Sequence, residues 1–228
     1  MREVALLDLD VFVYRAAWAT NDEDEAIAIR TFNNLVAEAV LIVGCSDYQG
    51  YLSGKGNFRH KIAKTAPYKG NRKATKPPIH KNAIRLHAIE HWEALVTVDE
   101  EADDAIAIAA TKKGKDNCVL VSIDKDFLQI EGRHFNPVKR TFKDMNHDEA
   151  KLFFYTQILT GDAVDNIIGL KGIGPVKGGR MLDGCVTEVE MFKACVDAYD
   201  GNVDRGIENA RLLWLRREEG QIWEPPEA

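Results

Sequence analysis

Closely spaced carboxylates occur at three places in this sequence, and each place is predicted to lie at the end of a helix or a strand. These places are residues 101–104 (EADD), 124–126 (DKD) and 162–165 (DAVD), and a fourth is the single Asp8 that ends the first apolar run. Acids in the first turn of a helix can simply be favourable partners of the helix dipole. Four such places in one chain instead indicate that the acids share a chemical task.

The task that fits these acids best is the binding of divalent metal ions. Carboxylates in one crevice repel each other and are tolerated only when a cation lies among them. Oxygen ligands suit Mg²⁺ or Mn²⁺, and these segments lack the Cys and His ligands that zinc prefers. Two such ions about 3.5 to 4 Å apart stabilise the attacking and leaving oxygens of an in-line phosphoryl displacement, so the acids predict phosphodiester hydrolysis. The candidate ligands are Asp8, Glu101, Asp103, Asp104, Asp124, Asp126, Asp162 and Asp165.

A glycine-rich segment, residues 169–177 (GLKGIGPVK), follows the last acid pair. Gly172 and Gly174 allow a tight turn that exposes main-chain N–H groups, and a helix predicted to begin near Pro175 would aim its positive end at a phosphate. An ordinary turn between helices is the alternative, but the nearby acids and cations favour phosphate binding. The cationic side chains of this segment and the turn after it are Lys171, Lys177 and Arg180.

The distribution of charge also points to a nucleic-acid partner. The net charge of -6 argues against one at first, because phosphate contacts need Lys and Arg. Residues 48–89, however, contain no acid at all. They contain ten bases, which are Lys55, Arg59, Lys61, Lys64, Lys69, Arg72, Lys73, Lys76, Lys81 and Arg85. This basic segment is predicted to contact DNA.

The elements that must position the acids are strands that alternate with helices. Short apolar runs predict strands at 3–8, 48–53, 95–98 and 118–123, and helical periodicity predicts helices over 22–43, over 79–94 and from about residue 100. Acids at the ends of such strands are typical of an α/β fold with a mostly parallel central sheet flanked by helices. The site is then expected at the carboxyl edge of the sheet.

After residue 146 the pattern changes to helices separated by glycine turns. Helices are predicted over 147–160, 186–199 and 204–219. We therefore expect an α/β domain over 1–146, which includes a basic arch or loop at 55–85. A helical DNA-binding region over 147–228 is expected to contain the glycine hairpin at 169–179.

Composition predicts a folded protein that works in solution. The apolar fraction of 45% and the charged fraction of 29% are those of a globular chain, and the four cysteines form no CxxC pair, so we expect reduced thiols. The N-terminal residues resemble no signal peptide, and we expect no apolar run to approach the roughly 18 to 20 residues of a membrane span. We expect a cytoplasmic monomer, in a bacterium or a phage-infected cell, with no membrane partner.

Five stretches of the sequence resemble the 5′ nuclease superfamily of flap endonucleases and 5′-to-3′ exonucleases, and most closely its compact bacteriophage members. In chain order they are LLDLD, NFRHKIAKTAPYKGNRKA, EEADD, SIDKDF and GDAVDNIIGLKGIGP, and they cover most of residues 4–180. The resemblance implies that the eight acids hold two divalent ions. It also implies a substrate of DNA with a 5′ end, flap or nick, and it leaves RNA in RNA–DNA hybrids open.

The resemblance assigns roles to several basic and aromatic residues. Lys69 and Arg72, within YKGNR, would touch the scissile phosphate or stabilise its developing charge. Tyr68 would stack on a base or pack at the foot of a helical arch, and we add Arg59 and Lys73 as DNA contacts. The glycine hairpin matches the family's helix-three-turn-helix, which grips duplex DNA and usually holds K⁺ on its carbonyl oxygens.

The sequence departs from the family at the end of the second strand. Family members usually carry an Asp a few residues before the FR pair, whereas YLSGKGNFR offers Ser53 or Gly54. This departure puts one metal-binding carboxylate in doubt; Asp47 is the one candidate substitute, and the strand would place it at the wrong end. Asp10 is an extra acid beside Asp8; at alternate spacing it shares the same strand face, and a contact with the metal or with water is an open alternative for it.

Three alternatives are weighed against a 5′ nuclease. A haloacid-dehalogenase-type phosphatase has a similar DLD motif, but its GDxxxD motif ends a strand, and this reading leaves EADD, YKGNR and GIGP unexplained. A PIN-type ribonuclease shares the sheet and the acids but usually lacks the glycine hairpin. A catalytically silent flap-binding protein, without metal because of Ser53, is the non-enzyme alternative.

Overall fold

The first apolar run forms a buried central strand in the computed structural model, which describes residues 3–72 and 76–227. Strand β1 (Val4–Asp8) pairs in parallel with β2 (Asp47–Lys55) on one side. On its other side it pairs in parallel with a strand numbered β4 in chain order (Cys118–Val121). All residues of β1 and β4 are buried, which explains why both read as continuous apolar runs.

Three further strands complete the sheet, whose order is β3-β2-β1-β4-β5-β6. Strand β3 (Leu95–Val98) is parallel to β2, and β5 (Gly132–Asn136) is parallel to β4. Strand β6 (Thr141–Met145) is antiparallel to β5 and lies at the edge. The predicted mostly parallel sheet is confirmed. The sequence did not reveal β5 and β6, because neither contains an apolar run.

Most helices agree with the periodicity except near their ends. In chain order the helices are α1 (Leu9–Ala19), α2 (Glu25–Val43), α3 (Arg59–Ile62), α4 (Lys81–His91), α5 (Ala102–Lys113), α6 (His147–Thr160), α7 (Pro175–Met181), α8 (Glu188–Ala198) and α9 (Val203–Leu213). Helix α9 stops at Leu213 and not at 219; α1, directly after β1, and α3, in the basic segment, were not predicted. The strand ends at Asp8, so Asp10 belongs to the first turn of α1. The expectation that Asp8 and Asp10 share a strand face is therefore wrong.

Helix α2 corrects the expectation that no apolar segment of this chain is long enough to span a membrane. The helix has 19 residues and contains an 18-residue window with a mean hydropathy of 1.6, so by length and composition alone it qualifies as a membrane span. Its buried residues recur at intervals of three and four, and they belong to the core that also contains residues of β1 and β4. These residues are Ala28, Phe32, Val36 and Ala39. The helix ends at Gly44, whose φ of 64° is the left-handed conformation of a C-terminal cap.

The described chain divides into two compact units. We call the first the sheet unit (Met1–Asn57 and Thr75–Met145) and the second the helical unit (Phe58–Ala74 and Asn146–Ala228). The chain passes from the sheet unit to the helical unit between residues 145 and 146, and the predicted division into a nuclease domain and a DNA-binding region stays a prediction. The segment Phe58–Ala74 differs, because the sequence assigned the whole basic loop to the sheet domain.

Arg59 explains why this segment belongs to the helical unit. Its side chain is 2% exposed, and its guanidinium donates to the carbonyl oxygens of Leu212 (2.9 Å) and Trp214 (2.7 Å). A buried guanidinium needs such acceptors, since an unpaired charge away from water is costly. Arg59 therefore anchors the segment to the end of α9, and its prediction as a DNA contact is wrong.

Capping residues define the starts of α6 and α8. Asn146 accepts from the N–H of Glu149 while Glu149 accepts from the N–H of Asn146, and Thr187 and Glu190 form the same reciprocal pair before α8. The buried face of α6 packs in the core of the helical unit. That core includes Phe154, Tyr155, Ile158, Leu159, Phe192, Cys195 and Trp223. All four cysteines are free thiols, as predicted.

Candidate functional site

Three predicted metal ligands of the sheet unit meet at the carboxyl end of the parallel strands. Asp8, at the end of β1, accepts a hydrogen bond of 2.7 Å from the hydroxyl of Ser122. The main-chain N–H of Asp124 donates to that hydroxyl oxygen at 3.0 Å, which links the ends of β1 and β4. A crevice of about 630 Å³ is lined by Asp8, Asp103 and Asp124, together with Asp10 and Ser53. We call it the carboxylate crevice.

The carboxylates of this crevice are poorly stabilised as anions. Burial raises the pKa of Asp8 to about 7; the charges of Asp10 and Asp124 add to this rise, and the Ser122 hydrogen bond opposes it. Burial likewise raises the pKa of Asp103 well above its usual range, and the neighbouring charges of Asp8, Asp124 and Glu101 raise it further. Such a group of acids is stabilised by a bound cation.

The type of ligand atom in the crevice, and not a preformed geometry, indicates that it can bind a divalent ion. Among residues 3–72 and 76–227, no three His, Cys, Asp or Glu side chains already meet in metal-binding geometry. Asp8, Asp103 and Asp124 nevertheless line one crevice and supply hard carboxylate oxygens. Mutual repulsion of the three carboxylates explains why their oxygens do not lie close together without a cation. Their oxygen ligands are of the kind that Mg²⁺ and Mn²⁺ prefer.

The other three predicted ligands of the sheet unit act in local structure. Glu101 and Asp104 form a capping box at the start of α5, in which each side chain accepts from the other residue's N–H. Asp104 is fully buried. The carboxylate of Asp124 accepts from the N–H of Asp126 at 2.9 Å and starts the 3-10 turn Lys125–Gln129. Their roles as metal ligands stay predictions.

Asp10 lies in an ion pair that the sequence did not reveal. Its carboxylate accepts from Arg85 at 2.9 Å and from the main-chain N–H of Ser53 at 2.8 Å. Arg85 also donates to the carbonyl oxygen of Ser53 at 2.9 Å. The end of β2, where the resemblance led us to expect an Asp, is therefore joined to a carboxylate from α1 that forms an ion pair with Arg85.

The raised pKa values predict that the metal-free protein is less stable at high pH. A group whose pKa is higher in the folded than in the unfolded protein stabilises the folded state at low pH. This contribution to the free energy of unfolding is lost as the pH rises through the pKa of the folded protein. For Asp8 this window runs from about pH 4 to above pH 7. In EDTA the melting temperature should fall by at least about 3 °C between pH 5 and pH 8, which corresponds to about 1 kcal/mol.

Calorimetry in EDTA, with and without excess Mg²⁺, measures this effect. Mg²⁺ should restore the loss at pH 8, and Asp8→Asn should flatten the pH dependence. The matched control Asp116→Asn, at an exposed position before β4, should leave it unchanged. A melting temperature that rises with pH in EDTA would contradict a repulsive carboxylate cluster.

A second cluster of predicted residues surrounds Asp165 in the helical unit. Its carboxylate accepts from the hydroxyl of Tyr68 at 2.8 Å and from Arg72 at 2.7 Å, and the ammonium of Lys69 lies 3.6 Å away. The main-chain N–H of Lys69 also donates to the carbonyl oxygen of Asp165 at 2.8 Å. The YKGNR motif is thus held against the second acid of GDAVD, within hydrogen-bond distance.

The backbone of this motif is held in an unusual conformation. Lys69 has a φ of 56°, in the left-handed region that side chains other than glycine rarely adopt. Such a conformation persists only where the surroundings determine it. Two hydrogen bonds hold the backbone in this conformation: the side-chain amides of Asn71 and Asn166 donate to the carbonyl oxygens of Ala163 (2.7 Å) and Pro67 (2.9 Å), respectively.

Asp162 is a turn residue as well as a predicted ligand. Its side chain is buried, and one carboxylate oxygen accepts from the N–H groups of Val164 (2.7 Å) and Asp165 (3.3 Å). This arrangement fixes the turn between two short antiparallel strands, β7 (Gly161–Asp162) and β8 (Ile167–Ile168). It therefore positions Asp165 and its cationic partners.

The remaining predicted DNA contacts have different outcomes. Tyr68 is 4% exposed, which favours the predicted packing role over stacking on a base. Lys73 lies outside the described residues. Gly172 has a φ of 76° and needs to be glycine, whereas Gly174 has a φ of -100° and open space around its Cβ position, so the turn does not require glycine there. The exposed cations of this region are Lys171, Lys177 and Arg180.

Glu208 is a functional candidate that sequence reasoning missed. It lies on the buried face of α9, and its carboxylate accepts from the N–H groups of Lys64 and Thr65, both at 2.7 Å. The hydroxyl of Thr65 (2.6 Å) and the guanidinium of Arg205 (3.2 Å) donate to its second oxygen. These bonds hold the segment that leads to Lys69. An acid among the apolar positions of a helix was the only signal.

Glu208→Gln should therefore destabilise the protein by about 1 to 3 kcal/mol, because the amide would face donors with a further donor. Urea unfolding measures the change. Glu218→Gln, at an exposed acid in the same unit, is the matched control and should be neutral. Equal stability of the two variants would show that these bonds do not hold the segment.

Comparison with known proteins agrees with this geometry. Residues 3–156 match the family model described as "5′-3′ exonuclease, N-terminal resolvase-like domain". Curated relatives include Flap endonuclease Xni of Shewanella piezotolerans, 30% identical over 57% of this chain and 52% of that protein. The same protein of Shewanella halifaxensis is 30% identical over 64% of this chain and 60% of its own length. The chain thus matches little more than half the length of these relatives.

Solved structures share the fold. The bacteriophage T5 D15 protein co-crystallised with metal ions aligns with a TM-score of 0.71 at 16% identity, over 93% of this chain and 89% of that one. The T5 D15 flap endonuclease in a pseudo-enzyme-product complex with DNA and metal ions aligns with a TM-score of 0.68 at 17% identity, over the same shares. At these identities the likeness establishes the fold.

Proposed function

Since this chain belongs to the 5′-3′ exonuclease family with an N-terminal resolvase-like domain, we propose that it hydrolyses phosphodiester bonds near the 5′ end of DNA. The observation that carries the proposal is the meeting of Asp8, Asp103 and Asp124 in one crevice at the carboxyl edge of a parallel sheet. The relatives named as flap endonucleases support a flap or a nick as the substrate. A role in phage-type replication or repair follows from that substrate.

Two divalent ions, Mg²⁺ or Mn²⁺, belong to this proposal. Asp8, Asp103 and Asp124 would hold them in the sheet unit; such ions, when bound, supply an activated water and neutralise charge on the phosphate. The protein's own contribution is to orient these carboxylates, as the Ser122 hydroxyl does for Asp8, where its hydrogen bond also opposes part of the rise in pKa that burial causes. Further proposed ligands are Glu101, Asp104, Asp126, Asp162 and Asp165.

Basic residues of the helical unit are proposed to bind the phosphates. Asp165 holds Lys69 and Arg72 before substrate arrives, so that less side-chain entropy is lost when they contact the phosphate. The exposed Lys171, Lys177 and Arg180 add sequence-independent affinity for the DNA backbone. Lys177 already donates to the carbonyl oxygen of Gly172 at 3.1 Å, and a K⁺ ion at the hairpin carbonyls is proposed beside it.

The proposal also covers the oligomeric state of the protein, its place in the cell and RNA as a second substrate. The proposal includes a monomer that acts in the cytoplasm, with RNA in RNA–DNA hybrids as a second candidate substrate beside DNA. Gel filtration with light scattering tests the first property, and a hybrid with a labelled RNA 5′ end tests the second. A dimer or an uncut hybrid would remove the corresponding part of the proposal.

Cleavage of a 5′-labelled flap and of a nicked duplex tests the central proposal. Both should be cut in Mg²⁺ and left intact in EDTA. The salt dependence of binding should be steep, because phosphate contacts release counterions. DNA that is bound but never cut in Mg²⁺ or Mn²⁺ would indicate a silent flap-binding protein. Cleavage of single-stranded RNA alone would favour a PIN-type ribonuclease, and hydrolysis of phosphomonoesters alone would favour a phosphatase.

A further inference from the structure

A second cavity of the sheet unit has no role in the site described above. It has a volume of about 240 Å³ and lies between β4, the 3-10 turn Lys125–Gln129 and the strands β5 and β6. We call it the side cavity. Its apolar lining includes Leu120, Phe127 and Phe135, which are at most 2% exposed. These side chains form the covered back of the cavity, and the apolar surface that a ligand can reach is that of Leu128, which is half-buried, and of Ile123, which is 46% exposed.

The rim of the side cavity is polar and mainly cationic. Lys125, Lys139 and Lys143 line it and are exposed, and Asp124 is the one acid among its lining residues. The carboxamide oxygen of Asn136 accepts from the N–H groups of Val138 (3.0 Å) and Lys139 (2.9 Å). This fixes the Asn136 carboxamide and leaves its N–H₂ group as a donor for a ligand. An apolar floor with cations and an amide donor suits a planar, anionic molecule.

The side cavity adjoins the carboxylate crevice. Ile123, Asp124 and Lys125 line both spaces. A ligand in the side cavity is thus separated from Asp8 and Asp103 only by the segment that follows β4. A phosphate beside Lys125 would lie next to the proposed reaction centre, with its attached base able to occupy the side cavity.

We propose that the side cavity binds the 5′-terminal nucleotide of the substrate, and after cleavage the released 5′ mononucleotide. The inference rests on the proposed function and names the part of the substrate that this cavity receives. Its volume lies below the roughly 300 to 1,000 Å³ of pockets for drug-sized ligands, which restricts it to about one nucleotide. The base packs on Leu128 and Ile123, and Lys125 and Lys143 contact the phosphate.

Binding of thymidine 5′-monophosphate to the whole protein in Mg²⁺, measured by titration calorimetry, tests the proposal. Lys143→Glu reverses one rim charge, and Thr141→Trp places a large side chain at the mouth of the cavity from the edge strand β6. Each variant should weaken binding by about tenfold or more, equivalent to about 1.4 kcal/mol. Lys113→Glu, at the exposed end of α5, is the matched control and should bind as the unaltered protein does.

Two further ligands separate recognition of the base from recognition of phosphate. Thymidine 5′-monophosphate should bind more tightly than inorganic phosphate and more tightly than thymidine. Equal binding of phosphate and the nucleotide would overturn the proposal, and so would unchanged nucleotide affinity in both cavity variants. Circular dichroism shows whether each variant is folded, and the exposed Lys143 keeps the test usable if the Trp variant is not.

The cleavage assay distinguishes the two levels of inference. A protein that cuts flaps but binds no mononucleotide in the side cavity retains the proposed function and loses this inference. A protein that binds the mononucleotide there and cuts no DNA retains the cavity assignment and loses the proposed function. In a protein with both properties, added thymidine 5′-monophosphate should inhibit cleavage, and the Thr141→Trp variant should resist this inhibition.

Discussion

Asp124→Asn is expected to reduce DNA cleavage at least about a thousandfold, equivalent to about 4 kcal/mol of transition-state stabilisation. The substitution keeps the shape of the side chain and one carbonyl oxygen, but it removes a negative charge from the carboxylate crevice. Asp124 is exposed, so the protein should remain folded. DNA affinity should change little, because the cationic side chains proposed to bind the phosphates are unaltered.

Single-turnover cleavage of a labelled flap in Mg²⁺ measures the loss, and fluorescence anisotropy in Ca²⁺ measures DNA binding. Asp116→Asn removes the same charge from an exposed position before β4 and should cut normally. Retained cleavage in Asp124→Asn would count against a metal centre at the end of β4. Loss of binding together with cleavage would instead indicate a structural role.

Lys69→Met is expected to lower kcat about a hundredfold while changing KM little, since removal of one charge-stabilising donor costs about 2.7 kcal/mol or more of transition-state stabilisation. Methionine keeps the length of the side chain and removes its charge. The left-handed φ of 56° costs a methionine about as much as a lysine, and the bond from the main-chain N–H to Asp165 is retained. The change therefore isolates the ammonium group.

Steady-state kinetics on a flap substrate separates the two parameters for Lys69→Met. Lys64→Met removes an exposed charge from the same basic segment and should mainly raise KM, through weaker phosphate attraction. An effect of Lys69→Met on KM alone would indicate uniform substrate binding. Lys69 would then be a DNA contact with no part in stabilising developing charge.

The sequence predicted the sheet and its acid-bearing edge because both depend on local pattern. Continuous apolar runs identify β1 and β4, and the residues that follow such strands lie at one edge of a parallel sheet. Asp8, Asp103 and Asp124 could therefore be expected in one crevice. Strands β5 and β6 were missed because their pairing depends on neighbouring strands and leaves no continuous apolar run.

Contacts between distant segments could not be predicted from local pattern. Arg59 looked like a DNA contact in a basic segment, but its partners are main-chain carbonyl groups at Leu212 and Trp214, about 150 positions later. Glu208 and Arg85 were overlooked for the same reason. A charge that is buried and paired has the same sequence signature as one in solvent, and only the fold distinguishes them.

Mn²⁺ bound to crystals of the protein, located by anomalous scattering, tests the central claim most directly. We expect two ions about 3.5 to 4 Å apart, with Asp8, Asp103 and Asp124 among the side chains that coordinate them. Crystals grown at pH 8 are suitable, because Asp8, whose pKa is about 7, is then mostly ionised. Saturating Mn²⁺ that leaves all three carboxylates without an ion, or that binds only elsewhere, would contradict the assignment of this chain as a metal-dependent nuclease.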